Sequence, residues 1–137
     1  MSQNWKQRER DIAAYLSSHP SLEGWGKVVR AASISGGLNR GEDLLREDGT
    51  RLPVSIEIKH GYGSRPSMQL VADWLEQSHR QSHGLPYVVV HAPKHVQVRN
   101  CLVYSPWDHG SPATGWWSTP LAFWVQQEVW WSRGLEF

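Results

Sequence analysis

The sequence predicts an α/β fold in which a mixed central β-sheet is flanked by helices, all within one domain. Segments with helical periodicity alternate along the chain with segments typical of strands. The 137 residues are close to the roughly 150 residues of an average domain. The dipeptide Asp48-Gly49 lies between two strand-like segments and is typical of a β-hairpin turn. We therefore expect a single folded unit of helices and strands.

Three helices are predicted from apolar residues that recur every three or four positions. The first covers residues 4–18, the second covers 67–82, and the third begins at Pro120 after a cap at Ser118 or Thr119. Their inward stripes contain Trp5, Ile12, Ala13 and Leu16 in the first helix, Leu70, Val71, Trp74 and Leu75 in the second, and Leu121, Trp124 and Val125, with Val129 as a further candidate, in the third.

Five strands are predicted, over residues 27–31, 43–46, 52–60, 86–91 and 98–104. The second and third flank the Asp-Gly turn, so we expect them to pair as a hairpin. In the third strand, apolar side chains alternate with Ser55, Glu57 and Lys59, which therefore share one face of the sheet. His60 should face away from Lys59 unless an irregularity at the strand end brings it back, and His91 should be exposed at a strand end.

Charge and composition exclude several classes of protein. The formal net charge is +1, from 14 basic and 13 acidic side chains, which is weak for a protein whose whole surface attracts polyanions. No apolar run approaches the roughly 20 residues of a membrane helix. The polar N-terminus lacks the apolar region of a secretory signal, and a single cysteine, Cys101, excludes an internal disulfide. We expect a cytoplasmic chain that does not enter a membrane.

Tryptophan is the one large anomaly in the composition. Nine tryptophans occur in the chain, and six of them lie within residues 107–137. Helical periodicity accounts for Trp124, whereas the two members of each adjacent pair, at 116–117 and 130–131, cannot both face one buried surface. Exposed tryptophan favours a protein partner, so we expect a homodimer interface. Stacking on unpaired bases and burial in a monomer core are the alternatives.

Glu9 contradicts the pattern of the first helix. It lies four residues after Trp5 and three before Ile12, on the stripe that we expect to be buried. Burying an unpaired carboxylate is strongly unfavourable. Glu9 must therefore reach solvent, pair with a base such as Arg30, or point at a cation.

Asp43 and Glu57 form the second unusual feature, because the expected hairpin places them on neighbouring strands. Two converging carboxylates suit Mg²⁺, which keeps several waters and takes one or two carboxylates together with phosphate oxygens. Lys59 projects to the same face as Glu57 and would place a cation beside the metal. This combination fits phosphodiester hydrolysis, since metal and lysine can both stabilise charge on phosphoryl oxygens. A cross-strand salt bridge on an exposed face is the structural alternative.

Taken together, these residues resemble the PD-(D/E)XK nuclease superfamily. The motifs that carry the resemblance are Glu9 on an N-terminal helix, the strand 28–31, the turn 35–37, Asp43, and Glu57-x-Lys59. Within the superfamily, the chain is most similar to archaeal-type Holliday junction resolvases and related phage enzymes. The likeness covers about residues 4–92. It implies a restriction-endonuclease-like core, whereas the tryptophan-rich extension over about 93–137 has no counterpart in the family.

The resemblance implies a particular metal site. Asp43 and Glu57 would bind Mg²⁺, for which Mn²⁺ can substitute, and the backbone carbonyl of Ile58 would be a further ligand. Lys59 would be the catalytic lysine, and Glu9 would complete the metal site directly or through water. Ser35, the serine of the turn, would be a further catalytic residue, and two polar helix residues, Gln69 and Gln77, are additional candidates.

Glu42 departs from the family pattern, because it replaces the proline that precedes the aspartate. The side chains of Glu42 and Asp43 point to opposite faces of a strand, so only one of them can share the face of Glu57. Which of the two binds the metal stays open at this level.

Loops next to these residues are suited to holding a nucleic acid. Arg40 precedes Asp43, and Tyr62, Ser64 and Arg65 lie in a glycine-rich segment after the strand of Glu57. Cations there can contact phosphates, and Tyr62 can stack on a base or pack on its own loop. Solvated loop charges are the alternative for both arginines.

We therefore expect a magnesium-dependent endonuclease that hydrolyses branched DNA as a homodimer, whose two active sites cut opposing strands. A nicking or restriction-type nuclease of the same superfamily would carry the same motifs. The alternative of another class is a non-catalytic nucleic-acid-binding module, although binding alone has no need of acidic groups that repel phosphate. The resemblance also implies a bacterial or phage-infected cell as the setting.

Overall fold

The computed structural model describes residues 4–31, 42–61, 65–108 and 111–134. The main elements in chain order are α1 (Asn4–Ser18), β1 (Val28–Arg30), β2 (Leu44–Arg46), β3 (Ser55–Lys59), α2 (Met68–Gln81), β4 (Tyr87–His91), β5 (Leu102–Asp108), β6 (Ser111–Pro120) and α3 (Leu121–Gly134). Short 3-10 helices over Pro20–Trp25 and Val98–Asn100 precede β1 and β5. No helix within the described ranges is both long and apolar enough to cross a membrane.

Four strands form a mixed sheet in the order β3-β4-β5-β6. Strands β3 and β4 are parallel, and the other neighbours in this sheet are antiparallel. Strands β1 and β2 form a second, two-stranded antiparallel ladder. Helices α1 and α3 pack on one face of the larger sheet, and α2 packs on the other. The fold is therefore α/β, with the predicted mixed sheet flanked by helices.

The two faces of the sheet bury alternate residues of the same strands. In β3 and β4, Ile56, Ile58 and Val88 pack with α1 and α3, whereas Tyr87 and Val89 pack with α2. This alternation follows from the two-residue period of a strand. It positions the side chains of Glu57 and Lys59 away from the cluster that contains Ile56 and Ile58.

The same alternation accounts for one of the adjacent tryptophan pairs. Trp117 packs against the cluster under α1 and α3, while Trp116 packs against the cluster under α2. Trp124 is fully buried on the inward face of α3, as its helical periodicity predicts. Trp107 is different, because 67% of its surface is exposed. The side chains of Trp130 and Trp131 lie outside what the structure describes.

The predicted hairpin across Asp48-Gly49 is wrong. Strand β2 pairs antiparallel with β1, and β3 instead pairs with β4. The turn closes locally, since the Asp48 carboxylate accepts hydrogen bonds from the main-chain N–H and the hydroxyl of Thr50. Pro53 in the following segment has no N–H to contribute to a ladder. The Asp-Gly signal marks a turn correctly but does not determine which strands pair.

The region after His91 also differs from the prediction. Residues 98–100 form a 3-10 helix, β5 begins only at Leu102, and β6 has no predicted counterpart. The sequence of β6 contains one glycine and two prolines, which are typical of turns. Such residues are tolerated here because β6 is an edge strand of the sheet. Pro120 ends β6, so α3 starts at Leu121.

Candidate active site

A cleft with a volume of about 570 Å³ lies beside strand β3. Its walls come from α1, from the segment before β2, and from β3 with the two residues that follow it. The lining residues are Glu9, Asp43, Glu57, Ile58, Lys59, His60 and Gly61. Four of the five predicted catalytic residues thus meet at one cleft; the fifth, Ser35, lies outside the described residues.

Asp43 reaches the cleft through hydrogen bonds to the main chain of β3. Its N–H donates to the carbonyl of Ile56 at 2.9 Å, and its carboxylate Oδ2 accepts from the N–H of Ile58 at 2.6 Å. Its own carbonyl accepts from the N–H of Ala31 at 2.8 Å. Asp43 therefore lies along the edge of β3 opposite β4, although it is not part of a strand.

Glu57 and Lys59 project from the same face of β3, as strand alternation predicts. The Lys59 Nζ lies 3.9 Å from the Glu57 Oε1, and the side chains are 19% and 13% exposed. The alternative prediction of a salt bridge on an exposed face is therefore wrong, because both side chains are mostly withdrawn from solvent. Two charged groups withdrawn from solvent interact more strongly than they would at the surface.

Burial shifts the titration of both cleft carboxyls. It raises the pKa of Asp43 to about 7, against the hydrogen bond from Ile58, which lowers it. Burial, followed by the charge of Asp43, raises the pKa of Glu57 to about 8. Lys59 lowers both pKa values without offsetting burial. The site therefore disfavours two carboxylates unless additional positive charge is present.

This donor set fits a hard divalent cation. Two carboxyl groups that resist ionising together gain a compensating charge when a dication binds, and their oxygens are the donors that Mg²⁺ prefers. Over the described ranges, no three or more His, Cys, Asp or Glu side chains are arranged to hold a metal ion. Asp43 and Glu57 could supply two oxygen donors, and the carbonyl of Ile58, which also lines the cleft, is the further donor that the resemblance implies.

Glu9 satisfies its burial by pairing with Arg30. The Glu9 Oε1 accepts a hydrogen bond of 2.9 Å from the Arg30 Nε, and both side chains are about nine-tenths buried. The pairing is one of the three outcomes that the sequence allows. Glu9 also lines the cleft, but it is not part of a three-carboxylate ligand group. A role through water stays a prediction.

The structure separates Glu42 from Asp43. The Glu42 Oε2 accepts a hydrogen bond of 2.7 Å from the Arg51 Nε, and Glu42 is almost fully buried. Glu42 does not line the cleft, whereas Asp43 shares it with Glu57. Of the two acidic residues, only Asp43 therefore shares a cleft with Glu57.

The remaining candidates lie elsewhere or beyond the described residues. The ones beyond are Ser35, Arg40, Tyr62 and Ser64. Arg65 is exposed and close enough to Tyr104 to lower the pKa of its hydroxyl, although burial raises that pKa more. Gln69 is exposed and donates a hydrogen bond to Asp73. The residues that line the cleft do not include Arg65, Gln69 or Gln77.

Two histidines differ from expectation. His91 is buried rather than exposed, with its Nε2 2.9 Å from the carbonyl oxygen of Gly61 and its ring 5.6 Å from that of Trp74. Its position in the uniformly buried strand β4 is the signal that should have predicted this. His60 lines the cleft, because β3 ends at Lys59 and strand alternation does not extend beyond it.

Comparison of the chain with protein-family models, with curated proteins and with solved structures finds no match in any of the three.

Proposed function

We propose that the chain is a magnesium-dependent endonuclease that hydrolyses DNA phosphodiester bonds, with a restriction-endonuclease-like core. The observation that carries this proposal is the cleft in which the partly buried side chains of Asp43 and Glu57 meet beside Lys59. The order of these residues along the chain supports it as well, since it resembles that of PD-(D/E)XK nucleases. Branched DNA of the Holliday junction type is the substrate that the resemblance favours.

Asp43, Glu57 and the Ile58 carbonyl would hold the metal. When bound, Mg²⁺ supplies charge neutralisation at the phosphate and a more acidic water. The chain's own part is to hold the two carboxylates in one cleft, largely withdrawn from solvent. The hydrogen bond from the Ile58 N–H fixes one oxygen of Asp43 and leaves the other free to bind.

Lys59 would act on the reacting phosphate. Its ammonium group is held in the cleft by the nearby Glu57 carboxylate. From there it can stabilise negative charge that develops on a phosphoryl oxygen, or orient the attacking water. Glu9, fixed by Arg30, presents a carboxylate oxygen that can accept a hydrogen bond from water in the same cleft.

Two alternatives share parts of this account. A nicking or restriction-type nuclease would use the same cleft on unbranched DNA, and nothing in the cleft distinguishes the two substrates. A non-catalytic binding module is disfavoured, because binding alone has no need of two carboxyl groups in the cleft, which repel phosphate whenever they are ionised without a metal.

The test is a cleavage assay with purified protein, Mg²⁺ and three matched DNAs: a four-way junction, a flap and a linear duplex. We expect cleavage that requires Mg²⁺ and is fastest on the junction. Equal rates on all three DNAs would favour the nicking alternative. Binding without cleavage of any DNA would favour the binding module and overturn the nuclease proposal.

We also propose that the chain forms a homodimer through the outer edge of β6. This edge strand of ten residues contains no charged side chain, although charges commonly protect exposed edges from pairing. Exposed Trp107 lies beside it, with its ring centroid 6.4 Å from that of Trp117. An edge strand can pair antiparallel with its own copy across a two-fold axis.

Light scattering tests the dimer. We expect a mass of about twice 15.7 kDa, and a shift towards the monomer in Ser118→Lys, which places a charge on the exposed side of β6. Ser18→Lys adds the same charge at an exposed end of α1 and should remain dimeric. A wild-type mass near 15.7 kDa at micromolar concentration would contradict this proposal without affecting the cleavage chemistry.

A further inference from the structure

An ion pair between Glu42 and Arg51 adjoins the candidate metal site along the chain. Two nitrogens of Arg51 contact the same oxygen of Glu42: the Nε at 2.7 Å and the Nη2 at 2.6 Å. The Glu42 side chain is 4% exposed, and the Arg51 side chain is 29% exposed. Glu42 is the residue immediately before Asp43.

Arg51 also forms hydrogen bonds with two other parts of the fold. Its Nη2 donates to the carbonyl of Ser82 at 3.1 Å, and Ser82 is the C-terminal cap of α2. Its own carbonyl accepts a hydrogen bond of 2.7 Å from the Arg46 Nη1 at the end of β2. Arg51 thus connects the segment before β2, the turn after it, and the end of α2.

We propose that Arg51 is a positioning residue that sets the Asp43 carboxylate for metal binding by anchoring Glu42. This inference rests on the proposed function, since it assumes that Asp43 is a ligand. The Glu42 side chain is held by Arg51 and does not line the cleft, while the Asp43 N–H and carboxylate are held by β3. Anchors on both sides of one peptide bond fix its orientation and therefore the direction of the Asp43 side chain.

An arginine suits this place because one planar group must serve two acceptors. The guanidinium binds the Glu42 carboxylate and the Ser82 carbonyl together, whereas an ammonium group is a point charge on a flexible stem. Without Arg51, Glu42 would be a buried carboxylate without its partner and would have to move towards water. Such a movement would turn the Glu42-Asp43 peptide and misplace the ligand.

The experiment measures Mg²⁺ binding by calorimetry and the Mg²⁺ dependence of DNA cleavage in Arg51→Ala and Arg51→Lys. Far-UV circular dichroism establishes the temperature range in which each variant is folded. We expect Arg51→Ala to weaken Mg²⁺ binding about 10- to 100-fold, as is typical when support for a metal ligand is removed. The KM for DNA should stay unchanged, and excess Mg²⁺ should restore most of the cleavage rate. A purely structural role would lower the melting temperature without shifting Mg²⁺ affinity in the folded protein.

Arg51→Lys keeps the charge and serves as the deciding variant if Arg51→Ala does not fold. We expect it to lose part of the Mg²⁺ affinity, because it cannot serve both acceptors. Arg80→Ala is the matched control, since Arg80 makes only an exposed pair with Glu76 among the contacts described for it, and it should bind Mg²⁺ as the wild type does. Wild-type affinity in every folded Arg51 variant would overturn this inference alone. A wild-type chain that binds no Mg²⁺ would overturn the proposed function together with it.

Discussion

The main-chain N–H of Ile58 donates a hydrogen bond of 2.6 Å to the carboxylate of Asp43. Ile58 lies between Glu57 and Lys59. The main chain of this motif therefore positions the Asp43 carboxylate beside the motif's own two charged side chains. The bond places Asp43 and Glu57 in one cleft without a ladder between β2 and β3. It also leaves Asp43 Oδ1 available for a ligand.

Removing either cleft carboxylate should abolish cleavage. We expect Asp43→Ala and Glu57→Ala each to lower kcat at least about 100-fold, because each would remove a metal ligand. DNA binding should be retained or strengthened, since a repulsive negative charge is lost. Gel-shift and cleavage assays on the same preparations measure both effects. Asp73→Ala, at an exposed position of α2, is the control, and wild-type cleavage by either cleft variant would refute the assignment.

Lys59 should matter for turnover rather than for metal binding. We expect Lys59→Ala to bind Mg²⁺ at least as well as the wild type, because a cation near the site is lost, while kcat falls about 100-fold or more. Calorimetry and single-turnover cleavage separate the two effects. Lys27→Ala removes a lysine that is two-thirds exposed and should change neither. A Lys59→Ala protein that cuts at the wild-type rate would exclude this lysine from the mechanism.

Folding stability should depend on pH through the cleft carboxyls. Folding raises the pKa of Asp43 to about 7 and that of Glu57 to about 8, so the folded state binds these protons more tightly than the unfolded state. Their stabilisation is therefore complete below about pH 4 and is lost as the pH rises towards 8. In metal-free protein we therefore expect the melting temperature to fall as the pH rises from about 4 towards 8.

The pH effect has a specific control and a metal-dependent counterpart. The double variant Asp43→Asn, Glu57→Gln should lose this part of the pH dependence, as measured by calorimetry in a chelating buffer. Mg²⁺ should raise the wild-type melting temperature most at alkaline pH, where it does not compete with protons. The same slope of melting temperature against pH in both proteins would contradict the assigned pKa shifts.

The Glu9–Arg30 pair should be worth far more to stability than the Lys27–Glu47 pair. Glu9→Ala removes the carboxylate that pairs with the largely buried Arg30 side chain and should cost roughly 3 kcal/mol in the free energy of unfolding. Glu47→Ala breaks a pair whose side chains are both 66% exposed and should cost less than about 1 kcal/mol. Urea unfolding measures both. Similar losses in the two variants would show that burial of the Glu9 pair has been misjudged.

Local patterns predict much of this fold because they depend on neighbouring residues. The bounds of α1 match the helical stripe of apolar residues, and α2 begins after Ser67, whose hydroxyl oxygen accepts from the N–H of Leu70. The placement of Glu57 and Lys59 on one face follows from strand alternation alone. The sequence also predicts that Asp43 lies beside Glu57. This prediction is correct, although the hairpin from which it follows is not formed.

What the sequence missed depends on contacts between distant residues. Strand β6 carries turn-forming residues, and only its position at the sheet edge makes it a strand. In the Glu42–Arg51 pair, the Arg51 side chain also binds the carbonyl of Ser82 at the end of α2, which lies 31 positions further along the chain. No local period signals either feature, because pairing of strands and burial of charges are decided by the packed sheet.

The most direct test of the metal centre is anomalous diffraction from a crystal of the protein soaked in Mn²⁺, which substitutes for Mg²⁺ at oxygen ligands. We predict a single strong anomalous peak between the carboxylates of Asp43 and Glu57, and its loss in Glu57→Ala crystals. A soaked crystal without a peak at these two residues, or with an equal peak in Glu57→Ala, would contradict the account.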